Sequence, residues 1–403
     1  MVSAPARDAS FDAYSRDLVS GFPILRQPRG PYPTIMILAG EASGDAHAAR
    51  LVTALKARFP RSRFLGIGGE QMKALGVELL AELDGLAVMG IAEVIPRLPF
   101  LRRLHRRLTS LLDTEVVDLV IPVDYAGFNL RIAKAARRRK LPVLFYIAPK
   151  IWAWGAGRAK KLTAHTNRVA LIFPFEVEAL ERAGANATFV GHPLLETHAA
   201  EPDRQAFCSR WSLDARRPIL AILPGSRPQE LRRHLTVFLE TGRLVQERFG
   251  PLQSVLARAS SIPPSAFDGL GVPVVDDSRS LLAHSAVALV KSGTSTLEAA
   301  LEGTPCVTAY KTHPVTFMLA RRLLRVDRIA LPNLIAGRDV VPEVLQGDAT
   351  PDRLAGLLLS LLRPDSKERA DMIAAFREIR TELGDPGASA RVAELAADLL
   401  DEA

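Results

Sequence analysis

Cysteine is scarce: Cys208 and Cys306 are the only two in 403 residues, and their spacing is neither that of a redox dithiol nor that of a zinc site. This excludes a disulfide-stapled scaffold, gives no support to a structural metal and fits a reducing cytoplasm. Long apolar runs are also missing. Stretches such as 169–175 and 286–290 fall far short of the ~20 residues that cross a bilayer. Residues 1–30 mix Arg with Asp and lack the apolar core of a signal peptide, so export is not expected. They read as an extension, poorly ordered or carrying a short helix around 11–19. Repeats, low-complexity tracts, helix-turn-helix patterns and aromatic RNA platforms are absent too, so the formal charge of +8 does not point to nucleic acid. It points to some other anionic partner.

Apolar runs of strand type alternate with amphipathic helical stretches almost throughout. Strands are expected at 34–39, 63–67, 119–123, 143–147, 169–173 and 188–190, then at 219–223, 253–257, 272–275, 286–290 and 306–310. Helices are expected at 47–58, 131–139, 236–248 and 295–301. This is the grammar of two parallel α/β sheets with a hinge near 192–205, and the cleft between two such domains is the default active site. Two glycine turns stand out. One leaves the run 219–224 through Gly225, Ser226 and Arg227; the other leaves 286–290 through Ser292, Gly293 and Thr294. A strand that ends in Gly/Ser and opens a helix presents free amides and a positive dipole end, which suits a phosphate. Neither turn continues into Gly-Lys-Ser/Thr or reads G-x-G-x-x-G. Ser226 with Gln229, and Ser295 with Glu298, also fit the capping box, in which a helix only satisfies its own first amides. Two turns together, one with an Arg beside it, suit a nucleotide diphosphate.

The motif around Gly40, Glu41, Ser43, Gly44 and Asp45, the segment from Ala87 through Gly90 to Glu93, and Trp152-Ala-Trp154 resemble those of the lipid-A-disaccharide synthase family. So do Gly191-His192-Pro193, Leu223-Pro-Gly-Ser-Arg227, Ser292-Gly-Thr294 and the loop from Leu331 through Asn333 to Arg338. The likeness runs in order from about residue 35 to the C-terminus. It implies two Rossmann-like α/β domains with parallel sheets facing a central cleft, the GT-B type. Residues 31–200 would form the acceptor and membrane-facing domain and 201–365 the UDP-sugar domain, with 366–403 as helices packing back on them. The implied reaction is inverting transfer from UDP-2,3-diacylglucosamine to 2,3-diacylglucosamine 1-phosphate (lipid X). Its products are a β-1,6-linked tetraacyl disaccharide 1-phosphate and UDP.

Such a transfer needs one base opposite the leaving group, and donors for the departing diphosphate. Asp124, at the end of the run 119–123, is the candidate base, a role the matching family position also implies; capping of the next segment is its structural alternative. The second Asp that the family often carries is Gly127 here. Glu41 and Ser43 are candidates for acceptor binding, with Gly40 and Gly44 letting a sugar approach; Asp45 belongs to the same motif, although capping of a helix starting near 46 suits it better. Trp152 would line the acceptor site or simply pack. Gly225, Ser226, Arg227, Ser292, Gly293 and Thr294 would cradle the diphosphate, Glu298 would accept ribose hydroxyls, and Asn333 is a further nucleotide or sugar contact implied by the family. No Asp-x-Asp motif is present, so no catalytic metal and no cofactor is expected.

The segment 96–108 carries much of the chain's positive charge. As a helix it would carry Leu101, Leu104 and Leu108 as one apolar stripe and Arg102, Arg103, Arg106 and Arg107 on the other face, with Leu98 and Phe100 as further membrane-binding candidates. An ordinary core-facing helix has the same pattern. With acyl-chain substrates, it reads as a peripheral contact with anionic lipid on the cytoplasmic face of the inner membrane. The alternatives are another UDP-sugar enzyme of this architecture, such as a lipid-II-type transferase or an epimerase, and a non-enzymatic basic lipid-binding protein. The oligomeric state is left open.

Overall fold

A computed structural model describes residues 32–82, 91–114, 117–148, 156–196, 200–313, 317–318 and 328–402. The extension 1–30 and Trp152 lie outside them. The chain divides into two compact units, Met1–Pro193 with Gly387–Ala403, and Leu194–Pro386.

In the first unit seven strands form one sheet: β1 (Thr34–Ala39), β2 (Arg63–Gly68), β3 (Glu78–Glu82), β4 (Leu119–Val123), β5 (Leu144–Tyr146), β6 (Arg168–Leu171) and β7 (Ala187–Phe189). All pair in parallel, in the order β3-β2-β1-β4-β5-β6-β7. The central strands are continuous buried runs, because helices cover a parallel sheet on both faces and leave no solvent side to alternate with. The helices of this part are α1 (Ala42–Arg58), α2 (Glu70–Ala74), α3 (Ile91–Thr114), α4 (Ala126–Arg138), α5 (Ala156–His165) and α6 (Val177–Glu181). Leu104, Leu108 and Leu112 of α3 and Ile132 and Ala136 of α4 pack together on Met36, Leu38, Leu65 and Val120 of the sheet.

In the second unit the strands are β8 (Ile219–Leu223), β9 (Gln253–Ala257), β10 (Val274–Val275), β11 (Val287–Lys291), β12 (Cys306–Tyr310) and β13 (Glu343–Leu345). They too are all parallel, in the order β10-β9-β8-β11-β12-β13. Its helices are α7 (Arg204–Arg210), α8 (Pro228–Phe249), α9 (Ser278–Ala283), α10 (Thr294–Leu301), α11 (Leu331–Ile335), α12 (Pro351–Leu362) and α13 (Lys367–Glu382). The last helix, α14 (Ala388–Asp401), returns to the first unit and packs on α1, whereas α13 stays in the second against α10, α11 and α12.

Each sheet reverses its strand order at one place, between β1 and β4 and between β8 and β11. In open α/β sheets, ligands bind outside the carboxyl ends of the strands at such a reversal. The first reversal carries the Gly40–Asp45 motif and Asp124; the second carries both glycine turns of the second half.

Candidate active site

At the first reversal, β4 runs out into two consecutive left-handed residues, Asp124 (φ 47°) and Tyr125 (φ 47°). Asp tolerates that region, but a Tyr there is a strained outlier. The Asp124 amide donates to the Tyr146 carbonyl at 2.9 Å. The buried Asn129 side chain holds the turn from below: its Nδ2 donates to the Asp124, Val123 and Leu38 carbonyls at 2.8, 3.2 and 3.0 Å. One amide thus ties the ends of β1 and β4 together and fixes the backbone that carries Asp124. Tyr125, not Asp124, is the N-cap of α4, and it makes no side-chain cap.

The opposing turn differs from its sequence reading. Helix α1 starts at Ala42, so Ser43, Gly44 and Asp45 lie in its first turn and Glu41 is its N-cap, with no side-chain cap. Asp45 is buried and does not cap α1. Its carboxylate instead accepts the amides of Gly69, Gln71 and Met72 at 2.7, 3.1 and 3.3 Å, anchoring the start of α2. That assigns Asp45 to structure and removes it from the acceptor candidates. Gly40 is required by the protein itself, since a Cβ there would lie 2.2 Å from the Tyr125 ring. Gly44 is buried, with ordinary contacts to Ala39 and the Val123 carbonyl on offer to a Cβ. Glu41 and the exposed Ser43 remain at the strand end.

At the second reversal neither capping box exists. The N-cap of α8 is Arg227 and that of α10 is Gly293, each without a side-chain cap, so Ser226 and Ser295 are not caps. In α10 the helix itself supplies no acceptor for the amides of Thr294 and Ser295. Gly225 has φ 128°, and a Cβ on it would collide with Glu230. Glu230 is the centre of this site. Its buried carboxylate accepts the Ser226 amide at 3.0 Å and pairs with Arg227 Nη1 at 3.2 Å and Lys291 Nζ at 2.7 Å. Burial works against its charge, but Lys291, then Arg227 and the Ser226 amide outweigh it and hold the carboxyl below its usual range. Below it, the wholly buried His234 accepts the Lys311 amide at Nε2 (2.9 Å), so its Nδ1 donates to the Glu230 carbonyl (2.7 Å). Burial lowers the His234 pKa, in keeping with that neutral form.

Glu298 is half-buried one turn into α10 and hydrogen-bonded to Ser295; burial holds its carboxyl above the usual range, with Arg279 opposing and Glu302 adding to the effect. Two expected contacts are spent internally. The Ser292 amide donates to Ala309 and its hydroxyl to Ile329. The Asn333 amide uses all its capacity on Val341, Glu343 and the Val340 and Val341 amides, shaping its own loop rather than facing a ligand. On α3, Phe100 and Leu104 are 4% and 5% exposed, and Leu101 is half-buried against the same core. The apolar stripe read as lipid-facing is core, because the sheet beneath it must be covered. Leu98 is half-buried, Arg103 and Arg107 are partly exposed, and Arg102 and Arg106 are exposed. Asn129, Glu230 and Lys291 were missed in the sequence; a Lys ending a buried strand just before Ser-Gly was the one available signal.

The lipid-A-disaccharide synthetase family model matches residues 35–390. The lipid-A-disaccharide synthase of Myxococcus xanthus is 41% identical over 376 residues, covering 91% of this chain and 98% of that one. That of Geobacter metallireducens is 38% identical over 378 residues, 92% of this chain and 98% of its own. Among solved structures, the UDP-GlcNAc 2-epimerase of Neisseria meningitidis bound to UDP-GlcNAc aligns with a TM-score of 0.61 at 12% identity, over 91% of this chain and all of that one, a likeness of fold.

Proposed function

The chain belongs to the lipid-A-disaccharide synthetase family and is a glycosyltransferase of lipid A biosynthesis, and from that premise we propose how its residues divide the reaction. The donor is UDP-2,3-diacylglucosamine and the acceptor 2,3-diacylglucosamine 1-phosphate. The acceptor 6-hydroxyl attacks the anomeric carbon, its proton passes to the Asp124 carboxylate, and the bond from that carbon to the diphosphate oxygen breaks. A β-1,6 disaccharide 1-phosphate and UDP result, with inversion. The observation that carries the assignment of the base is the left-handed pair Asp124–Tyr125, strained at Tyr125 and held by Asn129 at the strand reversal. Strain of that kind persists where the surrounding structure over-determines it, and functional sites are where it clusters.

Negative charge developing on the leaving diphosphate is met by Arg227 and the Gly293–Thr294 start of α10, while the Ser226 amide is spent on Glu230 and the Gly225–Ser226 turn shapes the site. Glu298 takes the ribose hydroxyls, and Glu41 and Ser43 contact the acceptor. Contact with the bilayer is electrostatic, through the exposed Arg102 and Arg106 of α3 on the cytoplasmic face of the inner membrane. Among the described residues no helix is long and apolar enough to cross a membrane.

Incubating the full chain with both substrates in mixed micelles tests this reading. Equimolar UDP and a β-linked disaccharide, identified by mass and anomeric coupling, are expected. UDP release without disaccharide would overturn it.

A further inference from the structure

Three charged side chains meet where the two glycine turns of the second unit come together, and only Arg227 was expected there. Lys291 ends β11, 2.7 Å from Glu230 and directly before the Ser292–Gly293 turn. A Cβ on Gly293 would lie 3.3 Å from the Lys291 Nζ, which places that ammonium at the mouth of the turn opening α10. The same Nζ stands 5.7 Å above the Tyr310 ring, so it is braced between a carboxylate and an aromatic face. Its side chain retains 14% exposure.

We infer that Lys291 is a second diphosphate-binding cation of the donor site, and that Glu230 is a positioning residue that aims Lys291 and Arg227 together; this rests on the proposed placement of the donor diphosphate at these turns. The charge arithmetic favours it. Two cations and one carboxylate leave an excess of one positive charge, next to the α10 amides, at a point that must receive two phosphates. An internal carboxylate is also the simplest way to keep two cations close together before an anionic ligand arrives. The lock of His234 on the Glu230 carbonyl and the Lys311 amide then makes Glu230 a fixed brace rather than a mobile competitor for those cations.

The test uses the full chain, with UDP and uridine as calorimetric probes. Lys291→Met is expected to weaken UDP binding at least tenfold and to leave uridine within twofold, with Lys291→Arg restoring UDP to within threefold of wild type. Glu230→Gln is expected to weaken UDP about fivefold in the wild-type background and by less, about twofold, beside Lys291→Met, where only Arg227 is left for it to aim, the non-additivity of residues acting through one another. If Arg227→Ala weakens UDP and Lys291→Met does not, the inference on Lys291 is overturned while the turn remains the diphosphate site. If neither variant changes UDP binding, the placement of the diphosphate itself fails. A measurement on wild type does not depend on variants folding: UDP, but not uridine, should shield Lys291 from amine-reactive labelling read by peptide mass spectrometry. Equal labelling with and without UDP would contradict the inference.

Discussion

Tyr125 stores strain of about 1–3 kcal/mol in its left-handed backbone, Asp124 beside it shares the left-handed turn, and Asn129 is the restraint that holds both. Asn129→Leu should remove three carbonyl partners at once, lowering stability by about 1–3 kcal/mol and lowering kcat more than it raises the donor KM. An unchanged kcat in a folded variant would remove Asn129 from the positioning of Asp124. A second residue-scale prediction concerns His47 and His192, both pushed down to about 3 by burial first and by Arg50 second. Their folded pKa lies below the unfolded value of 6.5, so the native state binds fewer protons between those limits. Their contribution is complete above pH 6.5 and is lost as pH falls toward 3, by about 1 kcal/mol per histidine per pH unit. Urea unfolding should show midpoints falling from pH 7 to pH 5, with a shallower fall in His192→Gln; identical slopes would contradict this. Residue roles were the least legible part of the sequence. Asp45 and Asn333 carry motif-like surroundings, yet their hydrogen bonds are spent inside the protein, which only coordinates reveal.

Elements were legible in proportion to how well their pattern survives the site. The buried runs of β1, β4, β8, β9 and β12 have the expected bounds. β3 and β13 went unanticipated because they are short edge strands, half-exposed and flanked by charge, with little apolar signal to read. Helices α1 and α8 start at Ala42 and Pro228, earlier than the apolar periodicity starting at 47 and 236 suggests. Their first turns are polar, glycine-bearing or proline-led because they face the strand reversals, so the functional segment is where the periodicity breaks. Helix α3 gives the element-scale prediction. With its apolar face in the core, Arg102→Ser with Arg106→Ser should weaken binding to anionic vesicles severalfold at low salt, with a shrinking difference at 0.5 M salt. Leu104→Ala should instead cost about 2–5 kcal/mol of stability and leave vesicle binding of the folded protein intact. Vesicle binding lost in Leu104→Ala but not in the Arg variants would return the apolar face to the membrane.

At the scale of the molecule, both units carry the same order of strand reversal, and each places its proposed chemistry at the carboxyl ends of the strands flanking it. That doubling was readable in the sequence as alternating strands and helices, and the Gly40–Asp45, Gly225–Arg227 and Ser292–Thr294 motifs fall at the strand ends it predicts. Which unit the C-terminal helices join was not readable: α13 and α14 are similar amphipathic stretches, separated by the Gly384–Gly387 turn, yet belong to different units. The central claim is a division of labour, with a base at the reversal of the first sheet and diphosphate binding at that of the second. Single-turnover disaccharide formation by Asp124→Asn, alongside UDP titration of the same variant, tests it most directly. The account predicts a rate at least 10²-fold below wild type with the UDP dissociation constant unchanged. A near-wild-type rate, or UDP binding lost together with the rate, would contradict it.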